Sequence, residues 1–278
     1  MRLKLKPNWA IAGYILAGIA MFVVCLYLRF PGEALANYAK AFAAQYPGSF
    51  LSIDEIRPSF PPGLALANVK IGYRDYPGAA FRVDDLSLRP GGLSLLKGRL
   101  TILLAAKGYG GEARGQVDFS RLFSFRGPLT VGATLRGVRI EKIAWLQEEL
   151  ARQVTGTLEG AVSFSGKTET PNNMTGNVDF TLTNGVFPLT EGFLDFKKID
   201  FSKIEGKLSF QSGTMRITQL TLTGAKVSAS LKGNILIADE FRDSRIDLTG
   251  TVEIPAYGNK RLTLNISGTI DNPKTRLM

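Results

Sequence analysis

The chain has 278 residues, 45% of them apolar, and a formal net charge of +10; its mean hydropathy is +0.05, a composition that folds around a core rather than staying disordered. It contains no histidine and one cysteine, Cys25. His-based acid/base catalysis, Ser-His-Asp and Cys-His nucleophilic systems, His/Cys zinc sites and internal disulfides are therefore excluded. The 34 Lys and Arg are dispersed among apolar residues, and the only basic block is Arg2-Leu3-Lys4-Leu5-Lys6. That dispersion reads as solvated strand faces with no nucleic-acid surface, and as a mild attraction to anionic lipid headgroups.

The first element is the stretch Trp9 to Leu28, WAIAGYILAGIAMFVVCLYL, which carries no charge. Twenty residues at about 1.5 Å each span roughly 30 Å, the thickness of a bilayer's hydrocarbon core. Nine of them are Leu, Ile, Val or Phe, which gives about −3 to −5 kcal/mol of insertion free energy. Arg2, Lys4 and Lys6 precede the stretch and Arg29 alone follows it directly, so the N-terminus stays cytoplasmic and the rest is exported. Trp9, Tyr14 and Tyr27 supply interface anchors. A cleaved signal peptide is the rival reading, with Ala34-Leu35-Ala36 as its small-x-small site; the apolar stretch exceeds the usual signal core of about 7–15 residues, and Arg29 separates it from that site. A lipoprotein reading of Cys25 fails on Val24, where a small residue is needed. The expected organisation is a cytoplasmic basic tail over 1–8, a transmembrane helix over 9–28, a juxtamembrane helix over 29–48 and an exported, β-rich domain over 49–278.

In GEALANYAKAFAAQYPG, Leu35, Tyr38, Phe42 and Tyr46 recur at spacings of three and four, which predicts a short helix ended by Pro47-Gly48. Beyond Phe50 the rhythm changes to period two. One helical interruption is expected over 140–154, where Ile140, Ile143, Leu146, Leu150 and Val154 form a stripe and Glu148, Glu149 and Arg152 lie on the polar side. Such a helix either caps the sheet or seals one mouth of it. The strands repeat one scheme: Leu158, Val162 and Phe164 share a face, as do Val178, Phe180 and Leu182, Leu208 and Phe210, Ile246, Leu248, Val252 and Ile254, and Leu262, Leu264 and Ile266. Turn signals SGK, TNG, QSG, TGA and YGN separate them, so roughly a dozen strands form an antiparallel meander. The acidic pairs Asp54-Glu55 and Asp84-Asp85 fall on neighbouring positions, whose side chains point to opposite faces of a strand. They do not converge as a metal or acid/base site, and no catalytic, metal or cofactor constellation is visible.

In FPPGLALANVKI, Leu64 and Leu66 have one parity and Val69 and Ile71 the other. The same slip separates Leu135 from Val138 and Ile217 from Leu220. Three slips are explained better by β-bulges that bend a strand while keeping its apolar side inward than by three strands each set between two cores. A bulge or kink is thus expected at Ala67-Asn68.

A dozen strands, each apolar on one face, leave a packing problem, because a flat sheet would expose far more apolar surface than soluble proteins do. The sheet either closes as a sandwich or barrel, which composition alone favours, or stays open as an apolar gutter. At this point the order of elements resembles a family. The membrane helix, the short helix, the PPGLALANVKI strand, the mid-chain segment running into VTGTLEGAVSFSGK and the closing ISGTIDNPKTRLM are similar to the type II secretion system protein N family in its delta-proteobacterial form. Through Gly156-Thr157-Leu158-x-Gly160 and Gly268-Thr269-Ile270-Asp271-Asn272-Pro273 they are also similar to the wider AsmA-like and TamB-like envelope proteins. The resemblance implies a non-catalytic, single-pass protein of the bacterial inner membrane with a periplasmic domain, partnered by other inner-membrane components of the type II secretion system. It also implies a curved, groove-like β-taco of the kind that holds lipid acyl chains in larger relatives, so the binding or transfer of phospholipid acyl chains stands as the alternative to the secretion role. The candidate groove-lining residues are Leu64, Leu66, Val69, Ile71, Leu208, Phe210, Ile246, Leu248, Leu262, Leu264 and Ile266; an ordinary core contact is the alternative for each.

Overall fold

In the computed structural model the described residues are 9–45, 48–73, 76–92, 94, 98–121, 124–144, 146–147, 153–167, 174–193, 196–238, 243–255 and 260–277. Two helices come first, α1 (Trp9–Leu28) and α2 (Gly32–Ala43). The first strands are β1 (Ser49–Ser52), β2 (Glu55–Ser59), β3 (Gly63–Tyr73), β4 (Tyr76–Pro90), β5 (Leu100–Gly108), β6 (Gly111–Arg121) and β7 (Ser124–Arg139). After a single 3-10 turn (Ile140–Lys142) come β8 (Thr155–Lys167), β9 (Thr175–Phe193), β10 (Phe196–Gln211), β11 (Thr214–Thr223), β12 (Ser228–Leu236), β13 (Arg245–Ile254), β14 (Lys260–Thr269) and β15 (Pro273–Leu277). The sheet thus has fifteen strands among the described residues, more than the dozen expected. It is a continuous antiparallel meander in which each strand from β3 onward pairs with the next, while β1 and β2 share the outer edge of β3.

The backbone of α1 runs through 20 uncharged residues. Among the described residues, no helix is long and apolar enough to cross a membrane. The expected crossing is therefore not shown by the fold; it rests on the uncharged length of the α1 sequence.

The juxtamembrane helix is shorter than 29–48 and ends at Ala43, ahead of Pro47-Gly48. Small residues make its contact with the sheet. Ala36 is buried and Ala39 packs beside it, whereas Leu35, Tyr38 and Phe42 face outward; Tyr46 lies outside the described residues. The reason is close approach: a Cβ on Gly32 would strike the Ile56 carbonyl, so the helix lies on β2 at a separation that admits alanines and leaves no room for large side chains.

The expected helix over 140–154 is not continuous. It opens as the 3-10 turn, Ile143 leaves helical geometry at φ −84, ψ 89, and residues 144, 146 and 147 are helical again. Gln147 ties the segment together: its side-chain oxygen accepts from the Val154 N–H at 2.7 Å, and its amide donates to the carbonyls of Ile140 at 2.9 Å and Val154 at 3.1 Å. Ile140, Leu146 and Val154 still reach one apolar cluster. Glu148, Glu149, Leu150 and Arg152 lie outside the described residues.

The three slips have two structural forms. In β7, Leu135 pairs with Gly160 and Val138 with Leu158, so Arg136 and Gly137 oppose the single residue Glu159. In β11, Ile217 pairs with Gly233 and Leu220 with Leu231, leaving one extra residue that is also unmatched against β10. Both are β-bulges. At Asn68 the register stays constant against β4, yet Asn68 itself adopts φ 50. The strand kinks there without an inserted residue, and its neighbours change parity with it: Ile53 lies between β1 and β2 and Ile56 within β2, and Val83 and Leu86 are three apart within β4. Leu66, Val69, Ile53 and Ile56 therefore meet in one cluster under Ala36.

The TNG signal misled for a related reason. Thr183-Asn184-Gly185 lies inside β9 with Asn184 at φ 51, a kink rather than a turn. QSG and TGA do sit at turns, and YGN falls outside the described residues.

The outward face of the sheet is charged and self-paired. Five of its ion pairs join residues two apart on one strand: Glu55 with Arg57, Arg82 with Asp84, Glu112 with Arg114, Lys198 with Asp200 and Lys203 with Glu205. Exposed pairs contribute only about 0–1 kcal/mol each, and they pair charges that would otherwise suggest an ionic ligand.

The sheet does not close. Among the described residues three separate clusters of buried apolar side chains form, one under α2, one under the 140–154 segment and one around Val227, Val252 and Ile254. Each joins elements that are neighbours in strand order, whereas a sandwich requires clusters joining remote strands. The accessible surface is 19288 Å² for a 30.2 kDa chain, against roughly 11,700 Å² for a compact monomer of that mass.

Candidate functional site

The register assembles the inward-facing residues into rows that run across the strands. One row passes from Ile56 through Leu66, Leu86, Ala106, Ala113, Leu135, Gly160, Phe180, Gly206, Leu220, Leu231 and Gly250 to Leu264. Every position from β2 to β14 is apolar or glycine, and at about 4.8 Å per strand the row is roughly 58 Å long before curvature. A second row, from Leu64 to Ile266, takes in Leu88, Leu104, Val162, Val178, Leu208, Ile217 and Leu248. A third contains Ile102, Val117, Val131, Phe164, Phe210, Met215, Ile235 and Ile246.

Burial grades across these rows. The third is half-buried throughout. In the row on the opposite side, which contains Val138, Leu158, Leu182, Ile204, Leu222, Ala229, Val252 and Leu262, three members are fully buried. The 140–154 segment covers the β8–β11 part of that side, where Ile140 and Val154 pack on Leu182 and Phe201, while Ala229, Val252 and Leu262 pack with Val227 and Ile254. One side of the apolar strip is thus lidded by the chain itself and the other is left to its surroundings.

Glycines shape the strip. A Cβ at Gly206 would overlap the Phe180 ring, one at Gly176 the Phe164 ring and one at Gly185 the Phe201 ring, and each phenylalanine stands directly opposite its glycine. The rings lie across the neighbouring strand and cover backbone that would otherwise be bare. Phe164 and Phe210 meet edge to face, with centroids 6.4 Å apart and planes at 73°. Beside Phe180 a depression of about 260 Å³ is lined by Leu135, Leu158, Val162 and Val178 among others.

Of the sequence-derived lining residues, Leu66 and Leu264 share the first row, Leu64, Leu208, Leu248 and Ile266 the second, and Phe210 and Ile246 the third. Leu262 lies in the lidded row. Val69 is buried beneath α2, outside the rows, and Leu66, although it belongs to the first row, is buried in the same cluster. Ile71 is neither: it is 50% exposed beyond the kink, opposite Phe81, which is 54% exposed. Missed by the sequence reading as lining were Leu135, Phe164, Phe180 and the glycines beneath the rings. The alternating signal marked the phenylalanines, but only register shows which glycine each one covers.

Asp54, Glu55, Asp84 and Asp85 are all exposed, with Glu55 and Asp84 each engaged by an arginine on its own strand. Among the described residues no group of three or more His, Cys, Asp or Glu could hold a metal ion. Compared with known proteins, the chain matches no family model, no curated protein and no solved structure.

Proposed function

We propose that this chain is a non-catalytic, single-pass protein of a bacterial inner membrane whose exported sheet forms a curved gutter that holds phospholipid acyl chains along its inner face. The observation that carries the reading is the row of apolar residues and glycines from Ile56 to Leu264, covered by α2 at its first end, on an open sheet with no second layer of strands over it among the described residues. Burying apolar area yields about 25 cal/mol per Å², so a half-covered strip of this length favours an apolar occupant over water. The bulges and kinks supply curvature, and the basic tail before α1 orients the anchor. The chemistry needs no catalytic group and no cofactor.

Photocrosslinking tests this reading. Benzoylphenylalanine in place of Leu208, on the second row, should capture phospholipid in intact cells, and the same group in place of Lys207, one residue away on the outward face, should not. Equal capture at both positions, or none at Leu208, overturns it.

A second reading, an accessory component of the type II secretion system, is supported by the order of elements noted above. It predicts impaired export of secreted proteins in a deletion strain and copurification with inner-membrane secretion components. Normal export without such partners refutes it.

A further inference from the structure

A second apolar surface lies apart from the strip. α2 has three faces. Ala36 and Ala39 pack into the N-terminal cluster, and Glu33, Asn37 and Lys40 line a cavity of about 540 Å³ with Tyr27, Asp54 and Arg57. The third face carries Leu35, Tyr38 and Phe42, which are 36%, 72% and 50% exposed. The core side is already filled by alanines, and Leu35 and Tyr38 turn away from it.

Two ties fix where it sits. Only residues 29–31 separate α1 from α2, and Phe30 among them packs against the N-terminal cluster. The Tyr27 hydroxyl, in the last turn of α1, donates to the Ser59 carbonyl, which draws the β2–β3 turn up to the end of α1. That turn presents Phe60, 85% exposed.

We infer that Leu35, Tyr38 and Phe60, with Phe42 on the same helix face, seat in the headgroup layer of the bilayer that α1 enters, on its exported side. This rests on the membrane reading proposed above. An amphipathic helix with aromatic residues on its apolar face lies about 5–10 Å into that layer. Tyrosine is enriched there, with its ring in apolar surroundings and its hydroxyl in water. Arg29, exposed between the two helices, complements anionic headgroups at the same level. The consequence is that the first strands of the sheet are held against the lipid surface, so the strip begins where lipid is.

The test uses the full chain in nanodiscs of phosphatidylethanolamine and phosphatidylglycerol, labelled with an environment-sensitive nitrobenzoxadiazole dye. Tyr38→Cys, Phe60→Cys and the outward-facing Ser230→Cys are each made in a Cys25→Ser background, and the native Cys25 thiol is labelled separately. Dyes at 38 and 60 should be quenched roughly twofold or more by headgroup-level nitroxide lipid, while the dye at 230 is not. Labels at 38 and 60 that behave like the one at 230, with Cys25 quenched by nitroxide in the upper acyl region, which lies about 4–5 Å below the exported end of α1, overturn this inference and leave the anchor standing. A Cys25 label that escapes quenching overturns both.

Discussion

Asn68 is where a single residue decides the direction of a strand. At φ 50 it occupies the left-handed region, which costs an ordinary L-residue about 1–2 kcal/mol and which asparagine tolerates better than most. Asn68→Val puts a β-branched side chain where it fits worst, so it should destabilise the fold by about 2 kcal/mol despite valine's preference for strands. Asn68→Gly removes the steric penalty and adds backbone freedom to the unfolded chain, and should stay within about 1 kcal/mol of the parent. With a urea slope of about 2 kcal/mol per M, the valine variant's midpoint falls by roughly 1 M. The assay is urea unfolding of the full chain in mild detergent, followed by far-ultraviolet circular dichroism. An Asn68→Val midpoint equal to the parent's, or an Asn68→Gly midpoint lower than the valine variant's, refutes the kink as the reason the apolar side stays inward.

Gln147→Ala removes three hydrogen bonds that close the 140–154 segment; amide exchange at Val154 should accelerate by roughly 30-fold, the equivalent of about 2 kcal/mol, and unchanged protection there contradicts the clamp. Ser244 is 0% exposed and its hydroxyl accepts from the Ala238 N–H at 3.1 Å. Ser244→Ala should therefore cost about 1–3 kcal/mol in urea unfolding, and a neutral result means that N–H finds another partner. A methyl at Gly250 would collide with the Ser230 carbonyl, whereas one at Gly92 meets nothing within 4 Å; Gly250→Ala should lose about 1–3 kcal/mol and Gly92→Ala almost none, and equal losses refute the close strand approach.

The alternation of the strands, their meander order and two of the three slips as bulges were legible because each is local: side-chain period and turn chemistry are written in neighbouring residues. The rows were not legible. Leu66 and Leu264 are joined only through a chain of pairings across the intervening strands, and a register shift of one residue anywhere along it would have sent the later residues to the other face. The 140–154 segment shows another limit. Its spacing identified Ile140, Leu146 and Val154 as inward, which they are, but an inward stripe does not dictate the backbone path, and Ile143 breaks the helix. Asn184-Gly185 failed as a turn signal because an asparagine in the left-handed region serves a hairpin and an in-strand kink equally well. On α2, the three-and-four spacing marked a face without saying which way it turns, and the close approach at Gly32 admits only small side chains on the sheet side.

The account stands on the inner face of the sheet holding lipid, and the most direct measurement is the phospholipid bound per chain. Full-length protein extracted from native membranes in mild detergent is compared with Leu262→Glu/Leu264→Glu, and with Phe210→Glu on the half-buried third row as a variant that disturbs the core less. The account predicts phospholipid retained by the parent through purification and lost in large part from both variants while their circular dichroism stays that of a β-sheet. A parent that carries no more phospholipid than the detergent background, or a folded Phe210→Glu protein that retains as much as the parent, contradicts it.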